Sequence, residues 1–597
     1  MDAAWAFVRR LCGHRVANLP EFPNPQQDPG MERRLLLVFA LTFLVIILFQ
    51  PLLKKYLPQP PAPSTQNQTA AQTTAQGPAS APAQVSAAAA GVGASRQAAS
   101  ESETVVENDF YRITFTNRGA LVKSWVLKKY DDEHGKPQEL VSKAAEKYGY
   151  PLSLWTYDET QRNKINSALY VASASGNLSA PAQLTFEYAD QDVAVRKTFR
   201  FDQTYAIHVE TSVVAKGSPV TAFPMWPAGF GDQLSPASYA ASRVEHQYND
   251  KTERLDIKKI SGGATLPGPF NWASVVDQYF AAVFIPDDPQ DVAAVTLRNP
   301  LEAPKDWRNP NSQGTIKVDV LGVAVGSLRG STAARLYVGP KSLGVLESVS
   351  VPTVIGAPQD LRGLVNFGFF GVIARPLFLW LKWTYEKVVH NWGWAIAIQT
   401  LIINVALLPL RISSMKSALK MQKVAPQIKA IQEKYKKYSM RDPRKQDMNQ
   451  EISALYKTEG VNPVGGCLPM IIQMPFLFAY YSMLGAALDL RHAPWLWIRD
   501  LSSPDPWHLL PIGIIITMLL TQRMTPQPGM DPAQQKMMTF MMPLMLGVIS
   551  WNLAAGLCLY WSEGNLIQIA QQAIMNRTSL GREMREIALK RARKKEK

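Results

Sequence analysis

The chain has 597 residues, of which 47% are hydrophobic and 19% are charged, and its formal net charge is +15. Three scattered cysteines without CxxC spacing exclude a disulfide framework and a cysteine-based zinc site. The basic excess fits either nucleic-acid binding or loops held on the cytoplasmic side of a membrane. Apolar runs are concentrated near residue 40 and after residue 390, so the positions of the charges decide between the two.

The first apolar run covers residues 35–53 and lies between a pair of arginines and a pair of lysines. At about 1.5 Å per residue it can cross a hydrocarbon core of about 30 Å. A cleaved signal peptide is the alternative, but no A-x-A-like site closes the run. We therefore predict an uncleaved transmembrane anchor at 35–55, preceded by a cytoplasmic extension at 1–34 in which Met31 is a candidate for the true start.

Residues 56–103 consist mainly of Pro, Ala, Gln, Ser and Thr, which bury too little surface to offset chain entropy, so we predict a disordered linker. Residues 104–351 then alternate between apolar and polar positions in short segments rich in β-branched and aromatic residues. This pattern predicts a β-sandwich. Its clearest strand segments are residues 110–116, 184–188, 193–201, 207–214, 292–297 and 316–325.

Residues 352–390 begin the helical part of the chain. Aromatic and aliphatic residues there mix with Arg375, Lys382, Lys387 and an internal Pro376. This mixture is typical of an amphipathic helix lying in the membrane interface rather than crossing it.

Residues 391–576 contain five apolar segments and predict a core of five membrane-spanning helices. Between the first two lies a strongly basic segment, residues 412–460, which predicts a cytoplasmic helical hairpin, and residues 577–597 form a basic tail. Because basic loops stay in the cytoplasm, six crossings place both termini inside and the β domain outside. The five predicted spans are residues 394–410, 467–488, 507–520, 537–555 and 557–575, the last two forming a tight hairpin.

Two motifs are too specific for generic membrane helices. Residues 461–476 read VNPVGGCLPMIIQMPF and residues 531–540 read DPAQQKMMTF, together with Asn-Trp-Gly at 391–393 and Pro-Leu at 409–410. With these motifs the region 361–575 resembles the YidC-type membrane protein insertases, a bacterial family related to mitochondrial and chloroplast insertases. The tethered β domain is similar to the Gram-negative form of the family, whose periplasmic domain is a β-super-sandwich like that of sugar mutarotases.

The resemblance implies a function. Such insertases, which are also chaperones, move hydrophobic segments of new proteins from the cytoplasm into the inner membrane through a polar groove open to the cytoplasm. It implies an α-helical polytopic protein with its large domain in the periplasm and with no cofactor or metal. The implied partners are nascent membrane proteins, the Sec translocon, membrane lipids and the ribosome, the last through the basic hairpin and tail.

The resemblance also implies groove residues. The family carries an arginine in the first of the five spans, and the matching position here is Asn404. Thr400, Asn404 and Arg411 recur at i, i+4 and i+11, which predicts a polar stripe down one helix. Arg411 is then either a substitute for the missing charge or a snorkelling anchor at the membrane edge. The other groove candidates are Gln473, which could equally form a hydrogen bond between helices, and Trp561, Asn565 and Gln568, which share a helix face.

Three further features have both a functional and an ordinary structural interpretation. Glu563 is an intramembrane acid, either functional or, with its carboxyl protonated, hydrogen-bonded to a neighbouring helix. A methionine-rich stretch is either an adaptable apolar slide for substrate helices or a lipid-facing surface. The basic hairpin either contacts ribosomal RNA and lipid headgroups or is only retained by its charge. The methionines are Met537, Met538, Met541, Met542 and Met545, and the hairpin lysines are Lys416, Lys420, Lys423, Lys436 and Lys437.

Two other classes of function were weighed against the insertase. A solute transporter or channel needs a polar path across the bilayer and often has internal repeats, and the sequence shows neither. A membrane-tethered carbohydrate-active protein would carry its site in the β domain, where the sequence does not group His134, His208 and His246 with acids into an acid–base site. Since no nucleophile and base pair is evident, we predict that the chain is not an enzyme.

Overall fold

Antiparallel strands form most of the N-terminal half of the computed structural model. The structure describes residues 95–248, 251–305, 314–353, 357–438, 442–461, 468–524, 537–584 and 586–587. All six predicted strand segments overlap observed strands. The strands are β1 Glu103–Glu107, β2 Tyr111–Thr116, β3 Leu121–Asp131, β4 Pro137–Glu139, β5 Leu154–Trp155, β6 Val171–Ala172, β7 Gly176–Ser179, β8 Ala182–Ala189, β9 Val193–Phe201, β10 Ala206–Ala215, β11 Ser218–Pro219, β12 Phe223–Trp226, β13 Arg243–Tyr248, β14 Lys251–Asp256, β15 Ala264–Pro267, β16 Trp272–Val276, β17 Phe280–Pro286, β18 Val292–Pro304, β19 Thr315–Ser327, β20 Thr332–Pro340, β21 Ser350–Val351 and β22 Gln359–Asp360.

These strands form three larger sheets. One has the order β4-β3-β2-β1-β7, the second β14-β13-β16-β17-β20-β10-β9-β8-β6 with β11 on β10, and the third β15-β18-β19-β12-β5. The parallel pair β1–β7 contrasts with the antiparallel pairing of the other described strands. Four short helices lie in the connections: α1 Ala145–Tyr148, α2 Glu159–Ser167, α3 Pro236–Ala240 and α4 Leu343–Glu347.

The first two sheets share an apolar core, as a sandwich requires. Strand β9 alternates, so that Val195 and Phe199 are buried while Arg196 and Arg200 are exposed. Phe115 of β2 packs against Phe199 across the gap, with ring centroids 5.1 Å apart. A period of two in burial therefore fixes which face of each strand meets the other sheet.

The second half of the described chain is helical. The helices are α5 Gly371–Lys387, α6 Trp392–Ala406, α7 Leu408–Lys434, α8 Arg444–Thr458, α9 Leu468–Ala486, α10 Leu509–Met524, α11 Met542–Ser550, which follows a π-helical turn at Met537–Met541, and α12 Ala555–Arg577. Helices α5, α6, α9, α10 and α12 share one apolar core. The predicted extension, anchor and most of the linker, residues 1–94, lie outside the described residues, as do residues 462–467 and 531–536 of the two motifs.

The lengths and compositions of the described helices bear on membrane crossing. None of the described helices is by itself both long and apolar enough to cross a membrane, whereas the bent pair α6 and α7 reaches that length and composition together. The connection between α11 and α12 is residues 551–554, so it is short, but it is longer than the predicted single residue Gly556, which lies inside α12. The two helices nevertheless make their main contacts with α10 rather than with each other.

The helical region differs from the β domain in its exposed surface. Its outward faces carry many large apolar side chains, among them Trp383, Ile516 and Val548, each more than half exposed. In helix α5, Ala374 and Leu381 are buried, so this helix packs on the bundle, and its place in a membrane interface stays a prediction. A soluble surface rarely carries such a continuous apolar cover, which suits helices surrounded by lipid.

The β domain and the helical region meet at the loop between α9 and α10. Leu488 of this loop is buried in the core of the β domain. The guanidinium of Arg491 lies 5.1 Å from the Tyr279 ring centroid, and Gln278 donates to the Gly485 carbonyl at 3.1 Å. Apolar, cation–π and hydrogen-bond contacts thus join the two regions at this loop, and Leu343 of α4 adds a second contact with the apolar core of the helices.

Candidate functional site

Three polar side chains of α6 are buried, and two of them donate to the backbone of the same helix. The buried Thr400 hydroxyl donates to the Ile396 carbonyl at 2.7 Å, and the Asn404 amide donates to the Thr400 carbonyl at 2.9 Å. Gln399, which is not among the predicted groove residues, donates to the Leu377 carbonyl of α5 at 3.0 Å. A polar residue inside an apolar run was the signal that could have identified Gln399.

The predicted stripe of Thr400, Asn404 and Arg411 along one helix is wrong. Helices α6 and α7 meet at Leu407, and their axes differ by 48°. Pro409 explains the break, because proline suits the first turn of a new helix, while its ring clashes with the carbonyl four residues earlier. Arg411 therefore belongs to α7, where it is partly buried and its side chain has no hydrogen-bond or ion-pair partner among the described residues.

Aromatic and amide side chains join α9 to α12. Tyr480 and Tyr560 stack with their ring centroids 4.0 Å apart, and the Tyr480 hydroxyl donates to Gln399 of α6. Gln568 donates to Gln473 at 3.4 Å. The hydrogen bond between helices considered for Gln473 is therefore present, while a groove role for Gln473 stays a prediction.

Helix α12 divides its polar residues between two neighbours. Asn565 is buried and donates to Thr517 of α10 at 3.2 Å, whereas Gln568 contacts α9. Trp561 is partly buried against the apolar core of the bundle. The three residues predicted to share one face thus contact different partners, because helices pack on both sides of α12.

Three side-chain oxygens on α6 and α12 are buried and have no hydrogen-bond donor among the described residues. They are Asn404 Oδ1, Glu563 Oε2 and Gln571 Oε1. Gln571 donates from its amide nitrogen to the Asn404 backbone carbonyl at 3.2 Å. The described helices therefore supply no hydrogen-bond partner for this oxygen of Glu563.

The methionine stretch is exposed where it is described. Met541 and Met545 are each more than half exposed, and Met542 is partly buried. The side chains of Met537 and Met538 lie outside the described residues. An exposed apolar face serves either lipid or a substrate helix, so the slide stays a prediction.

The basic hairpin forms from α7 and α8, as two helices joined by a short connection. Val424, Ile428 and Val461 form its small apolar core. Its lysines point outward, and Lys423 forms an ion pair with Glu583 at 2.7 Å. The other predicted lysines, Lys416, Lys420, Lys436 and Lys437, are all exposed. A cationic surface is therefore available for a polyanionic partner.

The histidines of the β domain are not brought together. His208 lies on β10 and His246 on β13, with three strands between them in the sheet, which separates them by about 19 Å. His134 lies in the exposed turn between β3 and β4. Within the described residues no group of His, Cys, Asp and Glu is arranged to hold a metal ion.

A polar cavity of about 200 Å³ lies between the β domain and the loop that joins α9 to α10. Burial and the neighbouring Asp277 raise the pKa of Asp232 well above its usual range, and the His492 imidazole, 3.5 Å from the Glu133 carboxylate, lowers the pKa of Glu133. Arg491 lines the same cavity. Sequence reasoning missed this cluster because its residues come from four distant segments.

Comparison with known proteins assigns both regions. A family model described as 60Kd inner membrane protein matches residues 383–582, and one described as YidC periplasmic domain matches residues 103–380. A membrane protein insertase YidC from Ralstonia nicotianae is 32% identical over 502 residues, covering 81% of this chain and 85% of the relative. Another from Geobacter metallireducens is 32% identical over 581 residues, covering 92% of this chain and 99% of the relative.

Solved structures were also compared. A crystal structure of an active YidC insertase with its first transmembrane domain resolved covers 81% of this chain and 94% of that chain, at 19% identity and a TM-score of 0.33. A putative aldose 1-epimerase from Escherichia coli covers 40% of this chain and 100% of that chain, at 10% identity and a TM-score of 0.27. On the two family models and the curated relatives, this chain belongs to the YidC family of membrane protein insertases.

Proposed function

We propose that this chain inserts hydrophobic segments of newly made proteins into the inner membrane along the polar side chains between α6, α9 and α12. The carrying observation is the set of buried oxygens on Asn404, Glu563 and Gln571 that lack donors among the described residues. In a bundle whose outer faces are apolar, such groups cost stability, and their presence is best explained by a passing partner.

The free-energy cost of moving a charge into a bilayer explains why polar side chains between the helices favour insertion. A charged residue at the bilayer centre costs about 2.5 to 3.5 kcal/mol on insertion scales. If a substrate segment exchanges its bound water for hydrogen-bond acceptors of the protein in several steps, each step costs only part of this free energy. Covalent chemistry is not needed for such a transfer, in keeping with a chaperone that uses no cofactor.

The location of the chain and its orientation in the membrane are inferred from the family. The protein resides in the inner membrane, with the β domain in the periplasm and the hairpin of α7 and α8 and both termini in the cytoplasm. The exposed lysines of the hairpin favour contact with ribosomal RNA and anionic lipids, and the Sec translocon is a partner in assisted insertion. We expect the β domain to have the mutarotase-like super-sandwich architecture and to bind no sugar through its separated histidines.

The experiment is reconstitution of the purified chain in liposomes with a small single-span substrate. A double variant, Gln473→Leu with Gln568→Leu, removes both ends of one polar contact and leaves neither amide unpaired. We expect insertion to fall severalfold, whereas Leu566→Ala on the exposed face of α12 leaves it unchanged. Solute flux without substrate insertion would support a transporter and overturn the proposal.

A further inference from the structure

The loop between α9 and α10, residues 487–508, is a folded structure rather than an open connection. The Asp500 carboxylate accepts the His492 N–H at 3.0 Å, and the Asp505 carboxylate accepts the Leu510 N–H at 2.8 Å. Both acids therefore stabilise the backbone of the loop and of the first turn of α10. We call this segment the α9–α10 loop.

The α9–α10 loop contacts the ends of other helices. The Asn391 amide, at the start of α6, donates to the Pro494 carbonyl at 3.0 Å. The Ala555 N–H, at the start of α12, donates to the Ser503 carbonyl at 2.7 Å. Helix α10 begins directly after the loop. The starts of α6, α10 and α12 therefore lie at one end of the bundle.

Three helices carry exposed apolar stripes, and each stripe begins or ends at or next to a tryptophan at this end. Trp394 lies in the first turn of α6, Trp507 lies two residues before α10, and Trp551 directly follows α11. These tryptophans are between 39% and 65% exposed. Tryptophan is enriched where the hydrocarbon of a bilayer meets the lipid head groups. The stripes are Trp394, Leu401 and Val405 on α6, Leu509, Ile512, Ile516 and Leu520 on α10, and Leu544, Val548 and Trp551 on α11.

Leu496 presents an apolar side chain at a backbone position that suits other residues better. Trp495 and Ile498 exchange two backbone hydrogen bonds of 2.8 Å, so residues 496 and 497 form the tip of a tight turn. Leu496 has a φ of +49°, which glycine and asparagine adopt more readily than leucine. Its side chain is nevertheless 66% exposed. Packing among the described residues therefore gives little reason for a leucine here, whereas a contact outside the protein does.

We propose that the α9–α10 loop binds the lipid interface of the leaflet on the side of the β domain, with Leu496 and Trp507 inserted just below the head groups. The leaflet follows from Leu488 of the same loop, which is buried in the core of the β domain. Arg499, three residues after Leu496, is exposed and complements the charge of a lipid phosphate. The loop thus contacts the β domain and the bilayer at once, and it sets the height of the β domain above the membrane.

The test measures the depth of a fluorescent NBD label on single cysteines in the full chain. The parent carries Cys12→Ser and Cys467→Ser and keeps the buried Cys558, whose labelling gives the background. Leu496→Cys and Trp507→Cys are labelled and reconstituted in liposomes of phosphatidylethanolamine and phosphatidylglycerol. A nitroxide quencher is placed either near the lipid head group or near the end of the acyl chain. We expect both labels to be quenched at least about twofold more strongly by the shallow quencher.

Two control positions have the same exposure as each other. Ile516 in the stripe of α10 and Tyr157 in the β domain are both 58% exposed. A label at Ile516→Cys should be quenched more by the deep quencher, and a label at Tyr157→Cys by neither. Exposure by itself therefore does not decide the result.

A second variant separates lipid contact from packing within the protein. Leu496→Asn should leave the melting temperature in detergent unchanged or slightly raised, because asparagine adopts a positive φ more readily than leucine. A melting temperature lowered by more than about 4 °C would show that Leu496 packs within the protein and would overturn its role in the proposal.

The quenching experiment has two other outcomes that contradict the proposal. Labels at 496 and 507 that are quenched no more than the label at 157 would mean that protein or water, and not lipid, covers the loop. Quenching mainly by the deep quencher would place the loop inside the hydrocarbon core and contradict the proposed level. Neither measurement depends on whether the chain inserts a substrate.

Discussion

A buried ionisable side chain of the β domain and one of the helical bundle differ in their hydrogen bonding. In the β domain, Lys197 is fully buried, yet its ammonium group donates to the carbonyls of Gly119, Ala120 and Leu152 at 2.7, 3.2 and 2.8 Å. In the bundle, Glu563 keeps one buried oxygen without a donor among the described residues. Unpaired buried atoms nevertheless occur in the described part of both regions, since Tyr111 Oη and Trp125 Nε1 of the β domain also have no hydrogen-bond partner there. The two regions therefore differ more in their exposed surface than in their buried polar atoms.

The exposed apolar residues distinguish the two regions. Among the described residues of the β domain, the large hydrophobic side chains that are exposed are Tyr157, Val171, Ile316 and Leu328. The helices expose many more, including those of the methionine stretch. The β domain thus exposes few large apolar side chains, whereas the described helices present an apolar surface.

The largest expected effect comes from removing the buried lysine. Lys197→Met leaves three carbonyl oxygens without donors, which should cost about 3 to 5 kcal/mol of stability in the β domain. Hydrogen exchange of β3 and β9 in the intact, detergent-solubilised chain measures this loss. Lys216→Met, at an exposed turn, is the control and should change exchange little. A loss below about 1 kcal/mol would mean that water replaces the ammonium group.

Because Lys197 is buried, the stability of the β domain should depend on pH. Burial lowers the pKa of Lys197 to about 7, below its ordinary value of 10.5. Between these values the unfolded state binds the extra proton, so the free energy of unfolding of the β domain should rise from about pH 7 to about pH 10. Pulse proteolysis in urea at each pH follows this rise, which should be smaller in Lys197→Met. Parallel profiles for the two proteins would assign the rise to other lysines, such as Lys341.

Removing Arg491 from the contact between the β domain and the helical region should have a smaller effect on stability. Arg491 has a side chain only 6% exposed and donates to Gln138 at 3.2 Å while covering the Tyr279 ring. Arg491→Ala should destabilise the junction by about 1 to 3 kcal/mol. Exchange should increase in the β3–β4 turn and leave β8 and β9 unchanged. Arg329→Ala, which removes an exposed arginine paired with Asp291 in the β domain, is the control and is expected to have no such effect.

The smallest effect is expected inside the bundle. Asn404→Leu removes an unpaired buried acceptor, so the thermal stability in detergent should change by no more than about 1 kcal/mol, in either direction. Asn565→Leu is the matched comparison and should cost more, because it breaks the bond to Thr517. If Asn404→Leu proved the more damaging of the two, the Asn404 oxygen would have a hydrogen-bond partner in the folded protein after all.

Local patterns in the sequence determined a good part of this fold. Alternation along residues 193–201 predicted both ends of β9 correctly, because a half-buried strand needs a period of two. The apolar segments after residue 390 predicted the helices of the bundle, and the motifs at 461–476 and 531–540 indicated the family. Polar residues within apolar runs also marked Thr400, Asn404, Gln473 and Glu563 as candidates.

Tertiary structure decided what those candidates do. The spacing of Thr400, Asn404 and Arg411 fits one helix face, but Pro409 ends the helix, and the angle between the two helices depends on packing. Lys197 occupies an apolar position of β9, and only distant carbonyls show why it is tolerated. Sequence fixes local period and composition, whereas partners come from residues far apart in the chain, so the unpaired acceptors of the bundle and the cluster around Arg491 were visible only in the folded molecule.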